Sequence, residues 1–361
     1  MRTALLILLL LHAAIHFIGT AKAFDWAKLD AFSQPVSKYA GLAWGLAGIL
    51  LILSTLLYAS SARYWWMLGF VSLVLSQILI LRFWSDARWG TIPNVVLLVL
   101  IVLAFARFQF DQQSEKLRSA LLNNATLEGS ELTLTPDSLL PATVQRWLQH
   151  SGAADHPTIA RTTLRQDLKM RLKPEQERWI PGTARQTFTT EPPAFIWTVD
   201  MRMPPGMPVS GRDQFRDGTG AMLIKLGALF PVVDEKGVPQ INSASLQRYL
   251  GEIVWFPTAA RSPYIQWEAI DERQAKATLT HEGTSDSGIF TFDEAGDVIS
   301  FTAQRYKDNT PDAERISWTI EVLETAAPAG LRIPVKAQAH WELPEGRWTW
   351  LELTMEEVVY E

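Results

Sequence analysis

Arg248 and Glu252 stand one helical turn apart and are followed at once by Trp255, Phe256 and Pro257, so an acid-base pair adjoins an apolar run. If Glu252 faces an apolar cavity, burial raises its pKa and suits it to proton transfer or to holding the polar end of a ligand. On an open helix surface the same spacing is an i, i+4 ion pair worth about 0.3 kcal/mol. Trp197, Trp267 and Arg305 join Arg248, Glu252 and Trp255 as candidate ligand-binding residues, and no catalytic residue is assigned. Rows of Trp and Met at Trp197, Met201, Met203, Trp341, Trp348 and Trp350 suit a core or the lining of an apolar cavity. His150, His156, His281 and His340 lie far apart and read as isolated surface groups.

A second pair, His12 and His16, sits four residues apart within an apolar stretch, so both rings project from one helix face. Ionisable groups inside a membrane span are costly, which makes them informative. Two imidazoles there can bind a metal or haem, or relay protons; alternatively, neutral rings hydrogen-bond to Ser76 or Gln77 and fix helix packing. No metal or cofactor is expected for the chain. Phosphate-binding, dinucleotide-binding, nucleophile-elbow and H-E-x-x-H signatures are missing from the sequence. Cysteine is absent, which excludes disulfides and thiolate chemistry, and a net charge of −5 offers no broad positive field for nucleic acid.

The elements that position these residues divide the chain. A bilayer core about 30 Å thick needs roughly 17 to 25 apolar helical residues. Ala4 to Gly19, Tyr39 to Ala59, Trp65 to Trp84 and Val95 to Phe108 approach that length, which predicts a transmembrane bundle of about four helices over 1–110. Thr20 to Ala23 resembles a signal-peptide cleavage site, but the paired histidines and the three further spans argue against removal. Gly41, Gly45 and Gly48 predict close helix contact. Arg2, Arg63, Arg107, Lys116 and Arg118 oppose Lys22, Lys28, Lys38, Arg82 and Arg88, five against five, so the overall charge count sets no orientation. One Arg before the first span against two Lys after it favours an external N-terminus. Four spans then put the soluble domain outside, in the periplasm of a bacterium, with the chain multi-pass in the inner membrane.

Residues 111–140 read as a connecting helix and linker, and 141–361 as a soluble, mainly β domain. From Ala160 to Lys173 the even positions are largely apolar and the odd ones largely charged, the period-two pattern of a strand wetted on one face. Phe195 to Met203 repeats it, and some nine further strands are predicted between Arg178 and Met355. The row Arg161, Arg165, Lys169, Arg171 and Lys173 suits a solvated face or anionic headgroups. Pro141 to His150 predicts a short helix, and Asn242 or Ser243 is expected to cap a second one running through Leu246, Tyr249, Leu250 and Ile253. Roughly ten one-sided antiparallel strands with one or two helices predict a curved sheet or incomplete barrel closed by a helix.

His12 to Phe24, I-L-R-F-W-S-D-A-R-W-G-T-I-P-N at Ile80 to Asn94, S-L-Q-R-Y-L-G-E-I-V-W-F-P-T-A at Ser245 to Ala259, R-I-P-V at Arg332 and H-W-E-L-P-E-G at His340 resemble an uncharacterised bacterial family of membrane proteins known only as a domain of unknown function. The resemblance implies membership and no activity. The inferred curved sheet with a helix in its mouth more loosely resembles the half-barrel of periplasmic lipoprotein carriers, which hold acyl chains. Together these suggest a membrane-anchored binding or carrier protein whose partners are the lipid bilayer and a lipid or lipoprotein acyl chain, without nucleic acid. Two alternatives are an enzyme acting on a membrane-associated substrate, with Glu252 as acid or base and Arg248 as its charge partner, and a protein-interaction or structural module.

Overall fold

A computed structural model describes residues 2–27, 33–125 and 134–361. Lys28, used in the charge comparison, and positions 126–133 of the expected linker lie outside the described residues. The chain forms two compact units, Met1–Asp111 and Gln112–Glu361.

The first unit is helical: α1 (Arg2–Ala23), α2 (Lys38–Ala59), α3 (Trp65–Arg82), the single turn α4 (Trp84–Ala87), and the part of α5 (Thr91–Asn124) up to Asp111, the rest of α5 belonging to the second unit. Four of its helical segments are long and apolar enough to cross a bilayer. Their outward positions, such as Leu11, Leu46, Phe70 and Ile78, are exposed and apolar, as lipid-facing residues are. Small residues set the spacing of α1 and α2, as the sequence predicted. A Cβ added at Gly48 would stand 2.9 Å from the Phe17 ring, and one at Gly41 would collide with Ala23. Buried hydroxyls find backbone partners across helices: Ser54 donates to the Trp65 carbonyl at 3.0 Å and Ser72 to that of Ala47 at 2.8 Å.

The second unit is one antiparallel sheet of thirteen strands curled into a half-barrel. Its strands are β1 (Arg161–Met170), β2 (Ile180–Thr190), β3 (Pro193–Met203), β4 (Met207–Arg216), β5 (Thr219–Leu226), β6 (Phe230–Lys236) and β7 (Ile265–Ala269). They continue with β8 (Gln274–His281), β9 (Thr284–Phe292), β10 (Val298–Tyr306), β11 (Arg315–Ala326), β12 (Ile333–Leu343) and β13 (Gly346–Tyr360). Spatial order is β6 to β1 and then β13 to β7, so the first and last strands pair at the centre. In β1 Leu164 and Leu168 are buried while Arg165 and Lys169 are exposed, facing Glu357 and Glu352 across the strand at 3.4 Å each.

Two strands went unanticipated, β6 and β7, which are the edges of the sheet. At β6 every position is exposed or half-buried, so no apolar alternation marks it. The outer face of β3 departs from the one-sided rule as well. Ala194 and Ile196 are buried there beneath Leu117 and Leu121 of the α5 C-terminal turns, and Arg118 donates to Thr187 at 3.2 Å.

Helix α6 (Ala142–Ser151) ends at Gly152, whose φ of +81° suits glycine. Helix α7 (Pro239–Glu252) joins β6 to β7 and lies inside the curl, touching β4 and β5 on one arm and β9 and β10 on the other. It starts at Pro239, before the expected cap. Asn242 instead accepts from the Gly220 N–H at 2.8 Å, and Ser243 donates to Asp286 at 2.6 Å, so both side chains tie the helix to the sheet. At the tips the arms meet directly: Thr284 donates to the Gly218 carbonyl at 2.8 Å. Gly218, at φ +69°, has no room for a side chain, because an added Cβ would stand 2.6 Å from the Glu282 carbonyl oxygen.

Candidate functional site

Inward-facing positions of a curled sheet converge, and here they leave a pocket of about 260 Å³. Its walls are the apolar registers of several strands, among them Leu168, Val199, Met201, Ile224, Ile320 and Leu353. At its helix-facing end the lining turns charged, with Asp213 from β4, Arg248 and Glu252 from α7, and Arg305 from β10.

Arg248 holds this end together. Its Nη1 donates to Asp213 at 2.7 Å and its Nε to Glu252 at 2.9 Å, while its guanidinium lies 4.6 Å from the Trp197 ring centroid and 5.2 Å from that of Phe195. The other Glu252 oxygen accepts from the Gln186 amide at 2.7 Å. The pair is therefore buried rather than set on an open helix surface. Burial pushes the Glu252 carboxyl up from its ordinary range, opposed by Arg248 and Gln186. Burial by itself would lower the Arg248 pKa, but Glu252 and Asp213 outweigh it and hold the guanidinium charged.

Arg305 is different. No hydrogen-bonded acceptor or ion-pair partner engages it among the described residues, and its guanidinium packs 4.3 Å from the Trp318 ring centroid. Burial draws its pKa down to about 10, which leaves it a cation at neutral pH.

Trp197, Arg248, Glu252, Trp255 and Arg305 thus meet in one pocket, with Trp255 anchored through its indole N–H to the Pro334 carbonyl at 3.1 Å. Trp267 is not part of it. Its ring packs 5.2 Å from that of Phe290 and its N–H donates to the Ala260 carbonyl at 2.9 Å, which makes it core. His281 and His340, expected at the surface, are buried as well. Asp213, Gln186 and Trp318 were missed. For Asp213 and Gln186 a charged or amide group among apolar inward neighbours is the signal that finds them, as with Asp213 between Val209 and Phe215, whereas Trp318 is apolar like its surroundings and carries no such signal.

In the helical unit His12 and His16 are buried, and His12 Nε2 bonds to Asn94 Oδ1 at 2.8 Å. Asn94 in turn donates to Ser76 at 3.0 Å and Gln77 at 2.9 Å, so the predicted partners are reached through an intermediary on α5.

The model of a family of unknown function, DUF6544, matches residues 134–353, which is more than half of the chain. The chain belongs to that family. The DUF6544 region contains every residue of the β pocket. No curated protein matches the chain. Among solved structures, a LolA superfamily protein from Nitrosomonas europaea is similar over 61% of this chain and 94% of its own, at 10% identity and a TM-score of 0.32.

Proposed function

We propose that the DUF6544 unit binds one amphipathic molecule, a lipid or lipoprotein acyl chain or a comparable apolar body with an anionic head, in a protein anchored by its N-terminal helices in a bacterial inner membrane. The observation that carries this reading is the apolar pocket ending on Arg305, a cation that no carboxylate of the cluster engages by hydrogen bond. Asp213 and Glu252 are both committed to Arg248, so Arg305 is the group left to meet an incoming carboxylate or phosphate. The volume of about 260 Å³ lies near the ~300 Å³ lower end of small-molecule sites, which admits one chain rather than a two-chain lipid.

Native mass spectrometry of the full chain released from nanodiscs should show a co-purified apolar acid, and stripped protein should take up a fluorescent fatty acid. Protein that arrives empty and takes up none would end the proposal. Arg305→Met should weaken binding of a ten-carbon carboxylate about 10- to 100-fold, the worth of a charge-assisted hydrogen bond. Binding of the matching alcohol should change by less than about threefold, since the alcohol brings no anion for Arg305 to meet. Equal losses for both probes would show that Arg305 acts only through packing.

The charges around the first apolar run, Ala4 to Gly19, with Arg2 before it and Lys22 and Lys28 after it, support an external, periplasmic DUF6544 unit. Alkaline phosphatase fused after Glu361 should then be active in cells, and an inactive fusion that is stably made would reverse the orientation.

A further inference from the structure

The helical unit has a cavity of its own, about 340 Å³ in volume and separate from the β pocket. His12, His16, Trp44, Phe83 and Trp89 line it, together with Lys22 and Asp86. His12 and His16 are 3% and 1% exposed, with ring centroids 4.7 Å apart, and His16 lies 5.5 Å from the Trp44 ring.

The hydrogen-bond network assigns both tautomers. The Asn94 amide nitrogen donates to Ser76 and to Gln77, so its carbonyl oxygen is the acceptor that meets His12 Nε2, and Nε2 carries the proton. His16 Nδ1 stands 2.7 Å from the His12 carbonyl, which only accepts, so Nδ1 is the donor. Each ring is left with one bare lone pair, on His12 Nδ1 and His16 Nε2. Neither atom has a hydrogen-bond partner among the described residues. Two buried acceptors without donors are costly in an apolar unit unless a ligand supplies the donors.

The chemistry of that ligand follows by exclusion. A bound metal ion is disfavoured, because no group of three or more His, Asp or Glu side chains gathers among the described residues. A cationic donor would meet Lys22 as well as Asp86 in the lining, and would carry its charge into the bilayer at a cost that a neutral donor avoids. A ligand with only acceptors, such as a ketone or ester, would face two lone pairs. A neutral hydroxyl satisfies these conditions, and the rings of Trp44, Phe83 and Trp89 suit a flat apolar body.

We propose that this cavity binds a hydroxylated aromatic amphiphile of the hydroquinone class, whose hydroxyls donate to His16 Nε2 and His12 Nδ1. The event is recognition alone and involves no electron transfer. It does not depend on the β pocket having a ligand.

The test compares a decyl-substituted benzohydroquinone with its oxidised quinone, which keeps the shape and loses both donors. Each is titrated anaerobically into the full chain in nanodiscs, with empty nanodiscs to subtract partition into lipid. The hydroquinone should bind at least about tenfold more tightly. That preference should fall below about threefold in His16→Phe and persist in Arg305→Met, which separates this cavity from the β pocket. Equal affinities for the two forms, no binding of either, or a preference unchanged in a folded His16→Phe chain would overturn the proposal. The comparison on the unsubstituted chain decides the matter even if the variant fails to fold.

Discussion

Replacing Arg248 with alanine is expected to destabilise the Gln112–Glu361 unit by about 3 to 5 kcal/mol near pH 8, the penalty for stranding buried charge. The Asp213 and Glu252 side chains are only 5% and 7% exposed, so water cannot replace the lost guanidinium. The rings of Trp197 and Phe195 lose their cationic partner in the same step. The loss should depend on pH with a definite sign. Burial already raises the Glu252 pKa in the folded state, and removing Arg248, which opposes that rise, raises it further. A carboxyl whose folded pKa lies above its unfolded value stabilises the fold while protonated and loses that contribution as pH climbs through the folded pKa. The deficit of the variant should therefore shrink as pH falls from about 8 toward about 5. Urea unfolding of the full chain, followed by far-ultraviolet circular dichroism at both pH values, reads this directly. A cost below about 1 kcal/mol at pH 8, or a deficit that grows on acidification, would contradict the buried cluster. Glu252→Gln separates the roles of the carboxylate. If the carboxylate only pairs with Arg248, ligand binding survives the change to an amide, whereas a carboxylate that itself holds the ligand's polar end loses binding with it.

What the sequence made visible were the elements with a regular period. Leu164 and Leu168 alternate with Arg165 and Lys169 because β1 has one dry face and one wet face, and the pattern can be read without knowing its neighbours. Where two layers cover a strand the alternation disappears, as at Ala194 and Ile196 beneath the end of α5. Where a strand forms the rim it disappears for the opposite reason, since Phe230 and Val232 of β6 stay exposed. Arg248 and Glu252 were recognisable as a pair because a helix places i and i+4 together. Asp213 was not, because it reaches Arg248 only after a thirteen-strand sheet has curled β4 back toward α7. The same limit explains Trp267. Its place among aromatics resembled that of Trp197, and only the pairing of β7 with β8 at the sheet's end carries it away from the pocket. In the helical unit spacing revealed the histidines, while Asn94, 82 positions from His12, required the helices to be assembled first.

Filling the β pocket should abolish binding while sparing the fold. Ala337 and Ala339 of β12 line it, and a phenyl ring at either position is expected to take up part of its volume. Each methylene kept out of an apolar site forfeits about 0.8 kcal/mol, so excluding four of them costs about 3 kcal/mol, a loss of more than about a hundredfold in affinity. Ala337→Phe and Ala339→Phe should show that loss for the ten-carbon carboxylate and the alcohol alike. Their melting temperatures should stay close to that of the parent, because the ring occupies a void rather than displacing packed neighbours. Lys336→Ala changes an exposed neighbour on the same strand and should alter neither quantity. Unchanged affinity in two folded, filled variants would sink the proposal. The variants also distinguish tail from head. Arg305→Met should separate the carboxylate from the alcohol, whereas the filled pocket should reject both, and a ligand held only on the outer surface would respond to neither change.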